Sequence, residues 1–260
     1  MIGYLSSPEA RTALCRLSSG SAATVNAIGG VFTKLLIHFN GDLLDAAKGH
    51  TLVKSASIGY SSTVKKFGSG GLASDTSGHP FFQTDLSADF AIAGGDFSLD
   101  FWVMNLDGQG MPTIELFNGG SVYLKLKLKD YTSSTLILTP LTGDPYTSTG
   151  VSMAHGAWTH LAVCKVGNVL LVYKDGVVAS TVTLLSSTAL DTAATVGLRM
   201  MSVGVGNTVH LDEVRFCNGI AMAPLGVPTA EYADADGALT PSQLNVPCAA
   251  RAALDAKLAL

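Results

Sequence analysis

The stretch from His155 to Thr181, HGAWTHLAVCKVGNVLLVYKDGVVAST, constrains this chain more than any other. Thr159–Val166 and Val169–Tyr173 are dominated by apolar and β-branched residues, which suit a pleated, buried surface. Gly167-Asn168 separates these runs, and Asp175-Gly176 separates the second from Val177–Val182. An Asp-Gly pair between such runs is a hairpin signal, because both central residues of the turn must take positive φ. The spacing predicts three consecutive strands joined by tight turns.

Period-2 alternation recurs elsewhere. In Asp96–Val103, Phe97, Leu99, Phe101 and Val103 fall on one face, and Ser98, Asp100 and Trp102 on the other. In Ser121–Asp130, Val122, Leu124, Leu126 and Leu128 oppose Tyr123, Lys125, Lys127 and Lys129. Such alternation marks a half-buried strand. A lysine row on the outer face solvates the sheet and discourages edge pairing. Leu35–Phe39, Thr135–Pro140, Ala194–Met200 and Val209–Phe216 read as further strands.

Several of these segments share a pattern. LLIHFNGD begins at Leu35, KKFGSGGLASD spans Lys65–Asp75, ADFAIAGGDFSLDFWV spans Ala88–Val103, WTHLAV and LVYKDG form the 155–182 region, and VHLDEVRFCNGIA begins at Val209. In this order they resemble the laminin-G-like, concanavalin A-like domains, with Asn40 where that family commonly has Asp. The resemblance runs from Leu35 to about Ala223. It implies an all-β fold, an antiparallel β-sandwich jelly roll over 34–223.

The flanks lie outside that pattern. Residues 1–33 are rich in Ser, Ala and Gly and read as an N-terminal arm, with a short helix near Pro8–Leu17, where Pro8 and Glu9 suit a helix start. Residues 224–260 read as a Pro-rich extended segment followed by a short C-terminal helix from about Pro247. There Ala250, Leu254 and Leu258 lie on one stripe.

Composition bounds the partners. Of the 260 residues, 47% are apolar and 14% charged, against roughly 25% charged in an average globular chain. A surface so poor in charge fits either coverage by other subunits, as in a homo-oligomer, or a Ser/Thr/Gly surface. The net charge of −4 and the lack of a basic stripe argue against nucleic acid. No apolar run reaches the ~20 residues of a membrane span. The N-terminus lacks a basic segment followed by an apolar one, so no secretory signal is expected. Cys15, Cys164, Cys217 and Cys248 are widely spaced with no CxxC pair, which predicts buried thiols rather than a metal or disulfide framework.

Catalytic patterns are missing. Glycan hydrolysis needs paired carboxylates projecting from one face. Asp212 and Glu213 are adjacent and so point to opposite faces, whereas Asp96 and Asp100 can share one, but Asp100 occupies a position the resemblance makes structural. The six histidines, His38, His50, His79, His155, His160 and His210, form no HExxH, and His38 and His210 read as structural. Gly68-Ser69-Gly70 and Gly119-Gly120-Ser121 do not make a nucleophile elbow. No catalytic, cofactor-binding or metal residues are therefore assigned, and no enzyme is expected. The resemblance implies one metal to weigh, a structural calcium near Asp42, Asp45 and Asp212. As turn-forming and strand-capping acids these residues need none. Among the aromatics, Trp102 and Trp158 read as packing residues, Tyr123 as strand, and Tyr131 and Tyr146 as exposed on loops.

Two functions follow as expectations. Isolated laminin-G-like domains are common in virion proteins of tailed bacteriophages. The resemblance, the flanking arms and the missing signal imply a non-enzymatic virion structural protein, a capsid decoration, cement or tail-associated subunit that grips other virion proteins through its ends. The alternative is a carbohydrate- or receptor-binding module using loops such as Asp130–Thr135 or Thr142–Ser152.

Overall fold

Tight turns and alternating residues build two layers of strands. The computed structural model describes residues 32–74, 81–92, 95–105, 112–128, 135–140, 146–149, 151, 153–184, 193–202, 209–219, 221 and 227–232. Its strands are β1 (Thr33–Ile37), β2 (Leu52–Lys54), β3 (Ile58–Ser61), β4 (Gly71–Ser74), β5 (Phe81–Thr84), β6 (Phe97–Asn105), β7 (Pro112–Asn118), β8 (Ser121–Leu128), β9 (Thr135–Pro140), β10 (Tyr146–Thr149), β11 (Thr159–Val166), β12 (Val169–Lys174), β13 (Val177–Thr183), β14 (Gly197–Ser202) and β15 (Val209–Asn218). A 3₁₀ turn at Ala88–Phe90 is capped by the Ser87 hydroxyl. Among the described residues, no helix is long and apolar enough to cross a membrane.

The pairings are antiparallel, and the strands fall into two sheets, as an antiparallel sandwich requires. One sheet runs β13-β12-β11-β6-β15-β4-β3, with β1 also on β15; the other runs β10-β9-β8-β7-β14-β5-β2. β15 is long enough to take three partners. β6 lies along one side, and β4 and β1 share the other.

The turns follow the expected chemistry. Asp175 (φ 48°) and Gly176 (φ 76°) both take positive φ between Lys174 and Val177. Gly167 (φ 57°) opens the two-residue link between Val166 and Val169.

The inner faces form the main core. Phe97, Leu99, Phe101 and Val103 of β6 are buried there with Leu161, Val163, Leu170 and Val172. Ile114, Leu116, Leu124, Leu126, Leu198 and Met200 oppose them from the second sheet. Each such side chain contributes about 1.5–3 kcal/mol on full burial.

Three details depart from the sequence-based reading. The first strand ends at Ile37, not Phe39, because Phe39 takes φ 58° and its carbonyl accepts from Gly41 N at 2.8 Å, closing a tight turn. The strand expected at Ala194–Met200 runs Gly197–Ser202, with Val196 only bridging to Ser87. Tyr123 does not simply join the outward lysine row. A bulge shifts the β7–β8 register so that Leu116 faces Leu124 and Phe117 faces Val122, and Tyr123 packs partly against the core.

The outer face of the eight-stranded sheet is also covered. Ala162, Cys164, Val169, Leu171 and Tyr173 form a second apolar cluster with Ala221, beyond the end of β15. Burial on both faces explains why Thr159–Val166 reads as a near-continuous apolar run. Cys164 and Cys217 are buried thiols that flank Ser98 from the two neighbouring strands. Two strand spacings put their Cα atoms about 10 Å apart, beyond disulfide reach. Residues 227–232 carry no helix, and Tyr232 is buried against the same sheet. This part of the C-terminal segment, expected to reach for neighbouring subunits, packs on its own domain. The arm at 1–31, the Pro8–Leu17 helix, the helix near Pro247, Cys15 and Cys248 lie outside the described residues.

Candidate functional site

β7 runs through the middle of the seven-stranded sheet, between β14 and β8. Ile114 and Leu116 belong to the core, so Thr113 and Glu115 stand on the outer face. The register sets Val53, Gln83, Arg199, Glu115, Lys125 and Thr139 side by side across six strands.

At the centre of this row a buried carboxylate joins two cations. Arg199 donates to Glu115 Oε2 from Nε at 3.1 Å and from Nη2 at 2.5 Å. Lys125 Nζ lies 3.1 Å from Glu115 Oε1. The Glu115 side chain is 4% exposed, while Arg199 is 26% and Lys125 41% exposed. The acid is the floor and the cations are the accessible rim. The Arg199 guanidinium carbon is also 4.7 Å from the centroid of the Phe117 ring. That ring lies against β14 at Gly197, where a Cβ would come within 2.9 Å of it. Glycine is required there by closeness, not by φ.

A guanidinium gripped by a carboxylate and an aromatic ring has little rotamer freedom left to lose on binding. Two of its five N–H groups point at Glu115, and the remainder can donate to a ligand oxygen. No second carboxylate shares this face among the described residues, so the two-acid geometry of glycoside hydrolysis is not formed there.

The opposite sheet holds a denser polar network. Asp100 accepts from Arg215 Nε at 2.9 Å and Nη2 at 3.0 Å, from His160 Nε2 at 3.4 Å, and from the Tyr232 hydroxyl. Burial alone would raise the Asp100 pKa. The Arg215 charge and the His160 hydrogen bond outweigh it and hold the carboxyl well below the usual range. Burial, with Asp100 adding to it, keeps the Tyr232 hydroxyl protonated far above its ordinary value. The Arg215 guanidinium sits 3.9 Å from the Tyr232 ring centroid. All four side chains are buried, so the network serves to seat residues 231–232 on the sheet rather than to meet a ligand.

Next to it, His38, Glu213 and Glu231 offer ligand atoms within 4.8 Å of one another. Each is already engaged. His38 Nδ1 hydrogen-bonds Glu213 Oε1 at 2.7 Å, Tyr232 N donates to Glu213 Oε2 at 2.9 Å, and Asn40 Nδ2 donates to Glu231 Oε1 at 2.6 Å. Gly68 packs beneath Asn40 and Glu231 with φ 55°, leaving no room for a Cβ.

The acids weighed for calcium are not brought together. Asp45 accepts four backbone N–H groups, from Leu36, Ala47, Lys48 and His50, at 2.9–3.2 Å. Asp212 accepts from Lys66, Phe67 and Glu213 at 2.7–3.0 Å. Asp42 is exposed in the Asn40–Asp42 turn. Carboxylates saturated by amides, with no neighbours in common, do not fit a calcium site. Burial pushes the Asp212 pKa up to about 6, against the Phe67 and Lys66 N–H groups that favour its charge.

The aromatics weighed from sequence are mostly structural. Trp102 is buried under the 65–70 loop, with Lys66 Nζ 4.0 Å from its ring centroid and Phe67 edge-on at 5.8 Å. Trp158 is half-buried. Tyr146, expected on a loop, belongs to β10 and packs against the core. Tyr131, His79, all of loop 130–135 except Thr135, and most of 142–152 lie outside the described residues. Asp96 accepts from Gly167 N at 2.8 Å and so pins the β11–β12 turn. Glu115, Arg199 and Phe117 were not singled out from sequence. Their signal was present: PTIELFN and GLRMMS each carry one charge, of opposite sign, inside an otherwise uncharged strand.

Comparison with known structures finds the same two-layer architecture elsewhere. Domain 4 of AbnA, a GH43 extracellular arabinanase from Geobacillus stearothermophilus solved in complex with arabinotriose, aligns with a TM-score of 0.56 at 17% identity, over 82% of this chain and 97% of that one. The binding domain of Paraclostridial Mosquitocidal Protein 1 aligns at 0.58 and 11% identity, over 84% and 52%. The botulinum neurotoxin serotype G binding domain aligns at 0.54 and 14%, over 84% and 50%. This chain therefore spans about half the length of the toxin binding domains it matches, and identities this low establish fold alone. Comparison with curated proteins gives no match. The family model described as the concanavalin A-like lectin/glucanases superfamily (Laminin_G_3) matches residues 78–222, more than half of the chain, and with the two-sheet architecture this shows that the chain belongs to that superfamily.

Proposed function

We propose that this domain is a non-catalytic carbohydrate-binding module whose ligand lies on the outer face of the seven-stranded sheet, over Phe117, Arg199, Glu115 and Lys125. The observation that carries this reading is the restrained Arg199 guanidinium, held at once by Glu115 and Phe117 yet partly open to solvent. A protein gains affinity by ordering its donors in advance, and this donor is ordered. The similarity to an arabinanase domain solved with arabinotriose, across nearly that domain's whole length, supports the same reading.

The phage-virion expectation draws no support from the comparisons. The only part of either terminal segment beyond Phe32 and Ala221 that is described, 227–232, grips its own sheet through Tyr232.

The test is a binding screen of the full chain against neutral, acidic and ganglioside-type glycans, repeated with Arg199→Lys. Lysine keeps the charge but lacks the fork that bridges Glu115 and stacks on Phe117. We expect binding to at least one glycan, weakened about tenfold in the variant, the worth of one charge-assisted hydrogen bond. Silence across the whole screen, or a variant that binds as well as the parent while melting at the same temperature, would reject the proposal.

A further inference from the structure

The charges on this face are unbalanced. Lys125, Lys127 and Arg199 project from it, and Glu115 is the one acid there among the described residues. Three cations against one carboxylate leave a local excess of two positive charges, on a chain whose formal net charge is −4.

The excess is accessible. Glu115 is at the bottom of the row, gripped by Arg199 and Lys125, and so cannot also offset Lys127. Lys127 is exposed, in register with Thr113 and Ile137, neither of which is acidic. Lys125 and Lys127 are two residues apart on β8, so their Cα atoms are about 7 Å apart along the strand, and Arg199 is two strands away, about 10 Å across. Cations at that spacing can meet negative groups carried on neighbouring units of one polymer. The rest of the row, Val53, Gln83 and Thr139, is uncharged, and Gln83 and Thr139 carry hydrogen-bonding groups that a saccharide can use.

Resting on the carbohydrate-binding reading above, we infer that the glycan this face takes is anionic, bearing sugar carboxylates or sulfate esters. Arg199 supplies the directional contact, since a guanidinium matches a carboxylate or sulfate oxygen pair, and Lys125 and Lys127 act as point charges along β8, across Glu115 from it.

The experiment measures affinity of the full chain for polygalacturonate, a sulfated dextran and neutral arabinan, at low salt and at about 0.5 M NaCl, where screening shortens to a few Å. The parent is expected to bind one of the acidic polymers at least tenfold tighter than arabinan and to lose most of that preference in high salt. Which acidic polymer it prefers tells carboxylate from sulfate recognition. Lys127→Glu is expected to weaken that binding about fivefold or more. Lys48→Glu, the same charge change on the exposed 45–50 loop, is expected to leave it within twofold. Preference for arabinan that ignores salt would overturn the anionic inference and leave the carbohydrate reading standing. Equal losses in both lysine variants would also overturn it, by showing attraction to overall charge rather than to this face. Failure to bind any of the three polymers, or any glycan in the wider screen, would remove the carbohydrate reading itself and this inference with it.

Discussion

Replacing Tyr232 by Phe removes one hydroxyl from the buried network and almost nothing else. The ring stays over the Arg215 guanidinium, 3.9 Å from its centroid, and the backbone N–H of residue 232 still reaches Glu213 Oε2 at 2.9 Å. Asp100 keeps both bonds from Arg215 and the longer one from His160. What is lost is the hydrogen bond to a buried, ionised acceptor, worth about 1.5–3 kcal/mol, together with the hydroxyl's longer 3.4 Å contact with His160 Nε2. For a domain of this size each kcal/mol shifts Tm by roughly 2–4 °C, so a fall of about 3–12 °C is expected. Urea unfolding of Tyr232→Phe should show a lower midpoint at an unchanged slope, because the surface exposed on unfolding is the same. The loss should also be constant between pH 8 and pH 5. Asp100 has a depressed folded pKa, so its stabilisation is in full force above the unfolded carboxylate range and is lost only as pH falls through the folded value. A loss below about 0.5 kcal/mol, within the range of ordinary surface changes, would refute the docking of residues 231–232. It would also return the C-terminal segment to the role of a free arm.

Asp45→Ala should cost more than a typical surface substitution, about 3 kcal/mol or above, since it strips acceptors from four backbone amides at once; adding calcium to the parent should not raise its Tm, and a calcium-dependent rise would contradict the amide-saturated reading of this acid. The Asp212 carboxyl, raised to about 6 in the fold against a reference of 3.8, binds its proton more tightly folded than unfolded. Its contribution to stability therefore falls as pH rises from about 4 to 6, by about 3 kcal/mol in total. The stability difference between the parent and Asp212→Asn, measured by urea unfolding across that window, should shrink with rising pH, and a flat or growing difference would show that the three amides, not burial, govern this group.

The strands were legible because each depends on neighbours in sequence. Asp175-Gly176 specifies its turn through positive φ, and the Phe97–Val103 alternation places four side chains in the core whatever packs opposite. Both are consequences of local backbone sterics and a period of two. Tyr123 escaped the alternation because the bulge opposite it arises from the pairing of β7 with β8, which no single strand records.

The candidate site was hidden for the same reason. Glu115 and Arg199 are 84 residues apart, and only the antiparallel register of β7 and β14 sets them side by side. Asp100 looked like one more polar residue on an outer face, yet Tyr232, 132 residues on, covers it. Sequence alone determined the strands and tight turns, since turn sterics and hydrophobic alternation act over a few residues, and the resemblance to laminin-G-like domains supplied the expectation of a two-layer antiparallel sandwich. Tertiary structure decided which charges are sealed beneath Tyr232 and which, as at Arg199 and Lys125, stay accessible, because register and long-range packing select the partners of each charge.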